Sequence, residues 1–409
     1  MLSLGLNIGL GGKANLHDLA PAWLPLGASM YADFTTGDYA SSPDGSSEST
    51  AVTAISDLVT CTRSAPGFAT NADGTLQAFT NNQPRITDKG LLPETSATNL
   101  LRFSEEFDDT TWVKSNVSVT ANQATAPDGT LTADMLTPSA AGAFIYQSII
   151  SPPISAVMSV WLKSASANNV TLHLTINGAG AIPNPQNLTL SVTPQWQRFS
   201  FPVATDGNTI NYNIGAYGAG DVWSPLDPVH VWGAQFEQST FASSYIKTQN
   251  ATAIRAADAV QFSDLSWLAG GQGTFVIEFL ANQASNYNYA GLFGIWQDNG
   301  NYIGINSNGA NFNTEGKSAG NWSLSNLTFA FPADGVSKVA LAYENNNVGF
   351  SLDGAAPILD TSYGAVSSAA NVFIGDRLPS FYQQWNSYIR SITYYPVRKT
   401  DLELQALTV

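Results

Sequence analysis

Residues 157–176 read VMSVWLKSASANNVTLHLTI, and their pattern decides the fold. In the first half, Met158, Val160 and Leu162 alternate with Ser159, Trp161 and Lys163. In the second half, Val170, Leu172, Leu174 and Ile176 alternate with Thr171, His173 and Thr175. A period of two places successive side chains on opposite faces of a strand. Each half is therefore a strand with one apolar face, and that face must be buried against a second layer. This is the pattern of an antiparallel sandwich. Trp161 and His173 fall on the opposite faces.

The pattern repeats outward along the chain. QRFSFPV (197–203), VHVWGAQFE (229–237), TFVIEFLA (274–281), KVALAYE (338–344) and SYIRSITYYP (387–396) are further short strands. Asp-Gly or Asn-Gly turn signals recur between such runs, at 44–45, 73–74, 128–129, 177–178, 206–207, 299–300, 308–309, 334–335 and 353–354. The one good helical candidate is the tail TDLELQAL, with Thr400 as N-cap and Glu403 in the capping-box position. The expected fold is all-β, with two consecutive antiparallel β-sandwich (jelly-roll) modules preceded by an extended N-terminal segment. Residues 1–30 are Gly-, Ala- and Leu-rich and read as extended. Residues 31–99 form a β-rich region containing the Ser-rich loop GDYASSPDGSSESTAV (37–52). The modules span 100–250 and 255–409 and join near TQNATAIRAAD.

Composition narrows the function. The chain has 409 residues, 16 of them Lys or Arg and 31 Asp or Glu, for a net charge of -15. Nucleic-acid binders need dense basic surface, so that class is excluded, as is a polybasic membrane anchor. No run of 18 apolar residues offers a membrane-spanning helix. The single cysteine, Cys61, excludes an internal disulfide framework. The opening MLSLGLNIGLGGKANLHDLA lacks basic residues ahead of its apolar part, unlike a secretory leader.

A catalytic set is not visible. His17, His173 and His230 make no zinc-protease helix motif, and there is no G-x-S-x-G elbow or P-loop. The glycine cluster at 269–273 precedes a strand, so no helix terminus is available to a phosphate. The densest acidic group is Glu105, Glu106, Asp108 and Asp109. It reads as a solvated turn or a structural calcium site, with a glycosidase pair as the remaining alternative. Strand 274–281 carries only Glu278. The expectation is a protein that is not an enzyme and needs no cofactor, structural calcium aside.

Recognition remains. Tyr and Trp join apolar area to a polar handle, which suits sugar C–H faces and hydroxyls. Trp161 and His173 on polar strand faces are candidates for carbohydrate binding. So are loop aromatics beside Asn, Gln and Ser: Tyr217, Trp223, Tyr287, Tyr289, Trp322, Tyr382 and Trp385. The alternative for each is packing under a loop or a neighbouring subunit. Trp196 and Trp232 read as core or strand-edge residues and not as ligands of a glycan.

Residues 62–112 carry, in order, Thr62-Arg63, the Asp73-Gly74 turn, Asn82 to Arg85, Gly90 to Glu94, Thr98 to Leu101 and Ser104 to Trp112. This series resembles a pattern recurrent in tailed-bacteriophage virion proteins, where a carbohydrate-binding-like jelly roll follows. The continuation through SVWLKS, WQRFSFPV and VWGAQFEQ is similar, so the resemblance covers about 62–250. In the last module KVALAYENNNVGFSLDGAAP, NVFIGDR and IRSITYYPVRKTDLELQAL look like a laminin-G or concanavalin-like lectin sandwich. The resemblance implies a head-spike or tail-fibre protein on the virion surface. Its N-terminal segment would dock to other virion proteins (capsid, portal or tail), and its modules would bind host-surface glycan as a homo-oligomer. A non-binding structural decoration protein and a capsule depolymerase are the alternatives.

Overall fold

The computed structural model describes residues 23–42, 50–52, 54–218, 221–282, 289–379 and 383–409, without the side chains of 325 and 326. Most of the segment expected to be extended, 1–22, and the middle of the Ser-rich loop, 43–49, lie outside the described residues, while the flanks of that loop form the strands Asp38–Ser41 and Thr50–Ala51. The chain is nearly all β. Among the described residues the helices are the short Ile55–Leu58 and Asp401–Leu407. The second starts as its sequence predicts. Thr400 accepts from the Glu403 backbone N–H, while the Glu403 carboxylate accepts from the Thr400 backbone N–H at 2.8 Å. Neither helix is long and apolar enough to cross a membrane.

Two sandwiches build the molecule. In the middle one, a five-stranded sheet runs in the order Val113–Ser115, Phe144–Ile149, Ile210–Gly215, Val170–Asn177, Gln186–Val192. A second five-stranded sheet runs Val117–Ala124, Ala133–Pro138, Val229–Glu237, Ser155–Ser164, Gln197–Ala204. All the pairings are antiparallel. Met158, Val160 and Leu162 meet Leu172, Leu174 and Ile176 in one buried cluster, so the predicted apolar faces do form the core.

The other sandwich is assembled from both ends of the chain. Its larger sheet includes Gly273–Ala281, Gly335–Glu344 and Ile389–Tyr395, and is extended by Met30–Asp33 and Asp38–Ser41. Met30 faces Tyr394 across that ladder. Its seven-stranded sheet ends on Val59–Thr62, paired through Cys61 and Val260. Most strands of 31–99 are therefore shared with the last sandwich, while Gly67–Thr70 and Leu76–Phe79 pair as a hairpin of their own. Residue 30, placed in the extended segment by sequence, is the first residue of a buried strand. The middle sandwich is an insertion. The chain leads into it along Ala97–Asn99 and out along Ala253–Arg255, and these two strands pair antiparallel.

Beneath that pair lies a buried ionic cluster. Arg63 donates to Asp258 at 2.6 Å, and Arg85 donates to Asp258 and, at 2.5 Å, to Glu94. Arg255 stands 3.4 Å from Glu94. Ser244, from the loop that follows the last strand of the inserted sandwich, donates its amide and hydroxyl to Glu94 at 2.8 and 2.6 Å. Three guanidinium arms crowd over Gly67, where a Cβ would lie 3.2 Å from Arg85 and 3.5 Å from both Arg255 and Arg63. Arg63, Arg85 and Glu94 come from the recurring series in 62–112. That series codes for the junction between the sandwiches.

Burial alone would raise the Glu94 carboxyl, but the Arg255 and Arg85 charges outweigh it and hold the group at about 2, against an ordinary 4.5. A depressed carboxyl stabilises the fold above its unfolded pKa and loses that contribution as pH falls through the folded value. Stability should thus decline from pH 4.5 towards 2. Glu94→Gln should cost about 3–5 kcal/mol at neutral pH by leaving buried arginines short of charge. It should also flatten that acid decline. Urea unfolding at a series of pH values tests this, and an unchanged slope in the variant would refute it.

Candidate functional site

The outer face of the five-stranded sheet containing Val170–Asn177 gathers polar and aromatic side chains from four strands and one loop. Strand Phe144–Ile149 reads FIYQSI. Its Ile145 and Ile149 face the core, so Phe144, Tyr146 and Ser148 face outward. Strand Ile210–Gly215 reads INYNIG, with Ile210, Tyr212 and Ile214 in the core and Asn211 and Asn213 outward. Register places Tyr146 beside Asn213, Asn213 beside Thr175 and Thr175 beside Asn187. The neighbouring row runs Phe144, Gly215, His173, Thr189.

Hydrogen bonds knit this face together. Asn213 donates to the Thr175 carbonyl at 3.0 Å, the Asn177 side-chain oxygen at 2.7 Å and the Asn211 carbonyl at 3.0 Å. Asn177 in turn donates to the Tyr217 hydroxyl at 2.6 Å. Thr175 donates to Asn187 at 3.1 Å, and Ser148 to Asn211 at 2.7 Å. The loop after Gly215 folds back over one side. Tyr217 packs edge-on against Phe144, centroids 5.1 Å apart, and Phe144 lies 6.0 Å from Tyr146. His173 Nδ1 is 3.2 Å from the Thr189 hydroxyl, and its Nε2 is 3.6 Å from Asp221. One atom stands out. The side-chain oxygen of Asn213 is buried and has no hydrogen-bond partner among the described residues. A buried acceptor left unpaired costs free energy that one incoming donor would recover.

The structure sorts the sequence candidates. His173 and Tyr217 come together on this face. Trp322 is 59% exposed on the strand Asn321–Ala330, with the Lys317 ammonium 4.8 Å from its ring centroid. Tyr289 is 42% exposed under the Arg377 guanidinium. Neither joins the sheet face. Tyr287 and Tyr382 lie outside the described residues.

Three candidates are corrected. Trp161 does point out of its sandwich, but the hairpin of Gly67–Thr70 and Leu76–Phe79 brings Leu76 and Phe68 onto that face. The ring is enclosed by Trp232 at 5.5 Å, Tyr245 at 5.6 Å and the Arg198 guanidinium at 4.3 Å. Gly233, at φ +64°, gives it room, since a Cβ there would lie 2.8 Å from the indole. Trp223 leaves its loop to fill the middle core, donating to the Asp227 carbonyl at 2.8 Å. Trp385 is buried in the other core against Phe279 and Phe312. Trp232 is buried, as its strand position suggests.

The side chains of the acidic run diverge. Glu105 turns inward to Lys247 at 2.6 Å and the Tyr245 hydroxyl at 2.9 Å, and Asp109 accepts from the Thr111 amide at 2.7 Å. Among the described residues no group of three or more His, Cys, Asp or Glu side chains converges as metal ligands. Phe144, Tyr146 and Asn213 were missed by sequence reasoning. The alternation in FIYQSI and INYNIG carried the signal.

No family model matches the chain, and no curated protein matches it. Solved structures give partial overlaps. The CBM40 of the Ruminococcus gnavus IT-sialidase, bound to α2,3-sialyllactose, is 20% identical at a TM-score of 0.30, over 34% of this chain and 83% of its own. Domain 4 of AbnA, a GH43 arabinanase from Geobacillus stearothermophilus, is 14% identical at 0.30, over 41% and 82%. The CBM22-1-CBM22-2 tandem of Paenibacillus barcinonensis Xyn10C is 13% identical at 0.27, over 74% and 97%. Likeness at this level carries no weight for ligand or role.

The burial of the three tryptophans makes a direct prediction. Trp161→Ala, Trp223→Ala and Trp385→Ala should each cost about 3–5 kcal/mol by opening a cavity. Chemical denaturation measures this. A variant that keeps wild-type stability would place its ring outside the core.

Proposed function

We propose that this protein is a glycan-binding surface protein of the spike or fibre kind, carried on a tailed-phage or phage-like particle. It holds host polysaccharide without cleaving it. The observation that carries the binding reading is the unpartnered Asn213 oxygen, set beside two half-buried rings in a lattice of amides and hydroxyls. Amides and hydroxyls both donate and accept, as sugar hydroxyls do. Half-buried Phe144 and Tyr146 supply the apolar surface on which a pyranose C–H face rests. The particle reading is supported by the ordered series within 62–112. Residues ahead of Trp23 are the docking segment towards capsid, portal or tail. A closed homo-oligomer, three copies first, supplies avidity that single sugar sites lack. A purely structural decoration role is the second reading, favoured by the burial of Trp161, Trp223 and Trp385.

A glycan array with the full chain separates the two readings. Tyr146→Ala should weaken the bound glycan at least fivefold, about 1 kcal/mol, with little change in Tm. A chain that binds no glycan, or a Tyr146→Ala variant that binds as tightly as wild type, rejects this face as the site. Deleting residues 1–22 should leave a folded protein missing from purified particles. Normal copy number of the truncated form on particles would move the anchor elsewhere.

A further inference from the structure

The sequence contains two copies of one short turn, Asp73-Gly74-Thr75-Leu76 and Asp128-Gly129-Thr130-Leu131. They are built alike. Asp73 Oδ1 accepts from the Thr75 amide at 2.9 Å and hydroxyl at 2.6 Å. Asp128 Oδ1 accepts from the Thr130 amide at 3.0 Å and hydroxyl at 2.6 Å. In both, Oδ2 makes no hydrogen bond among the described residues. One turn tips the hairpin that covers Trp161, and the other belongs to the inserted sandwich. The Leu76 amide donates to the Pro127 carbonyl at 2.9 Å, which holds the two turns together.

Between them lies a cleft of about 670 Å³. Trp196, Gln195 and Lys163 line it along with both aspartates. The Trp196 ring is half-buried and fixed, its Nε1 donating to the Thr125 carbonyl at 2.9 Å. The Lys163 ammonium stands 5.6 Å from the ring centroid. No ion pair involves Lys163 among the described residues. The Thr75 hydroxyl and amide hold the Asp73 carboxyl below its ordinary range, so its free oxygen is an ionised acceptor.

We propose that this cleft is a second binding site, separate from the sheet face, and that it takes an uncharged saccharide of one or two residues. The size is that of a small-ligand site, roughly 300–1,000 Å³. Two free carboxylate oxygens accept from sugar hydroxyls, Lys163 and Gln195 donate to sugar oxygens, and the indole edge meets C–H groups. Two carboxylates against one ammonium disfavour sialylated, sulfated or phosphorylated ligands. The ligand class follows from the cleft's own residues, so the site stands or falls independently of the sheet face.

The test uses the full chain labelled with 5-fluorotryptophan, the Trp196 resonance being assigned by its loss in Trp196→Phe. The probes are maltose, lactose, cellobiose, xylobiose and chitobiose, with sialyllactose as the charged control. The Trp196 resonance should shift saturably with at least one neutral probe. The double variant Asp73→Asn, Asp128→Asn keeps Oδ1 and hence both turns, and should weaken that shift at least fivefold. Tyr146→Ala should leave it unchanged. No shift with any neutral probe overturns the proposal, and so does a shift seen only with sialyllactose. A shift abolished by Tyr146→Ala assigns binding to the sheet face and also overturns it. Glycan binding lost in Tyr146→Ala while Trp196 stays silent leaves the sheet face standing alone.

Discussion

Asp258 and Glu94 hold three buried arginines, and the rest of the molecule depends on that cluster. Asp258 reaches Arg63 and Arg85, and Glu94 reaches Arg85, Arg255 and Ser244. These residues come from connecting segments before the inserted sandwich, from the loop after its last strand and from the chain that leaves it. Burying so many charges is costly, and replacing such a cluster with apolar side chains is often neutral or favourable in other proteins. Its value lies in specificity. Arg63 also donates to the carbonyls of Ala65, Thr80 and Gln83, and Arg85 to that of Phe68. An apolar substitute would bury the same volume but leave those carbonyls unpaired. The cluster therefore ties the hairpin of 67–79 to the inserted sandwich, since Arg85 donates both to the Phe68 carbonyl and to the Ser244 hydroxyl. That contact buries Trp161 and shapes the cleft beside Trp196.

Part of this was legible in the sequence. Alternation in VMSVWLKS and VTLHLTI named the core faces, and Thr400 with Glu403 named the start of the last helix. What alternation reports is which side a residue takes, not whether that side stays wet. Trp161 was placed on the correct face, yet it is dry because a hairpin nearly a hundred residues away covers it. His173 faces outward and is nonetheless mostly enclosed by Thr189 and Asp221. Loop position is a weaker guide still. Trp223 and Trp385 sit among small polar residues and both turn inward, because a loop indole loses less by filling a core than by staying in water. Phe144 and Tyr146 escaped notice because they lie within a strand. The ordered series in 62–112 was recognised as a pattern, but its physical meaning required the partners Ser244, Arg255 and Asp258. No local rule connects those positions.

The two proposed binding surfaces rest on different physics. The sheet face is an amide lattice set on a rigid ladder, so its geometry follows from strand register. The cleft depends on two turns brought together by tertiary packing, so its geometry follows from the junction. A mutation at the cluster would disturb the cleft before the sheet face.

The paired strands Ala97–Asn99 and Ala253–Arg255 have one more consequence. They bring the two ends of a sandwich of about 150 residues side by side, as neighbours in one ladder. Everything between them is plugged into the base like a cartridge into a socket. The base builds its sheets from residues 30–62, 86–91 and 259–395. Recombination that cuts at this ribbon can exchange the inserted sandwich for another of its kind while the strands that flank it stay paired. A chain built this way can replace the whole of that sandwich in a single genetic event.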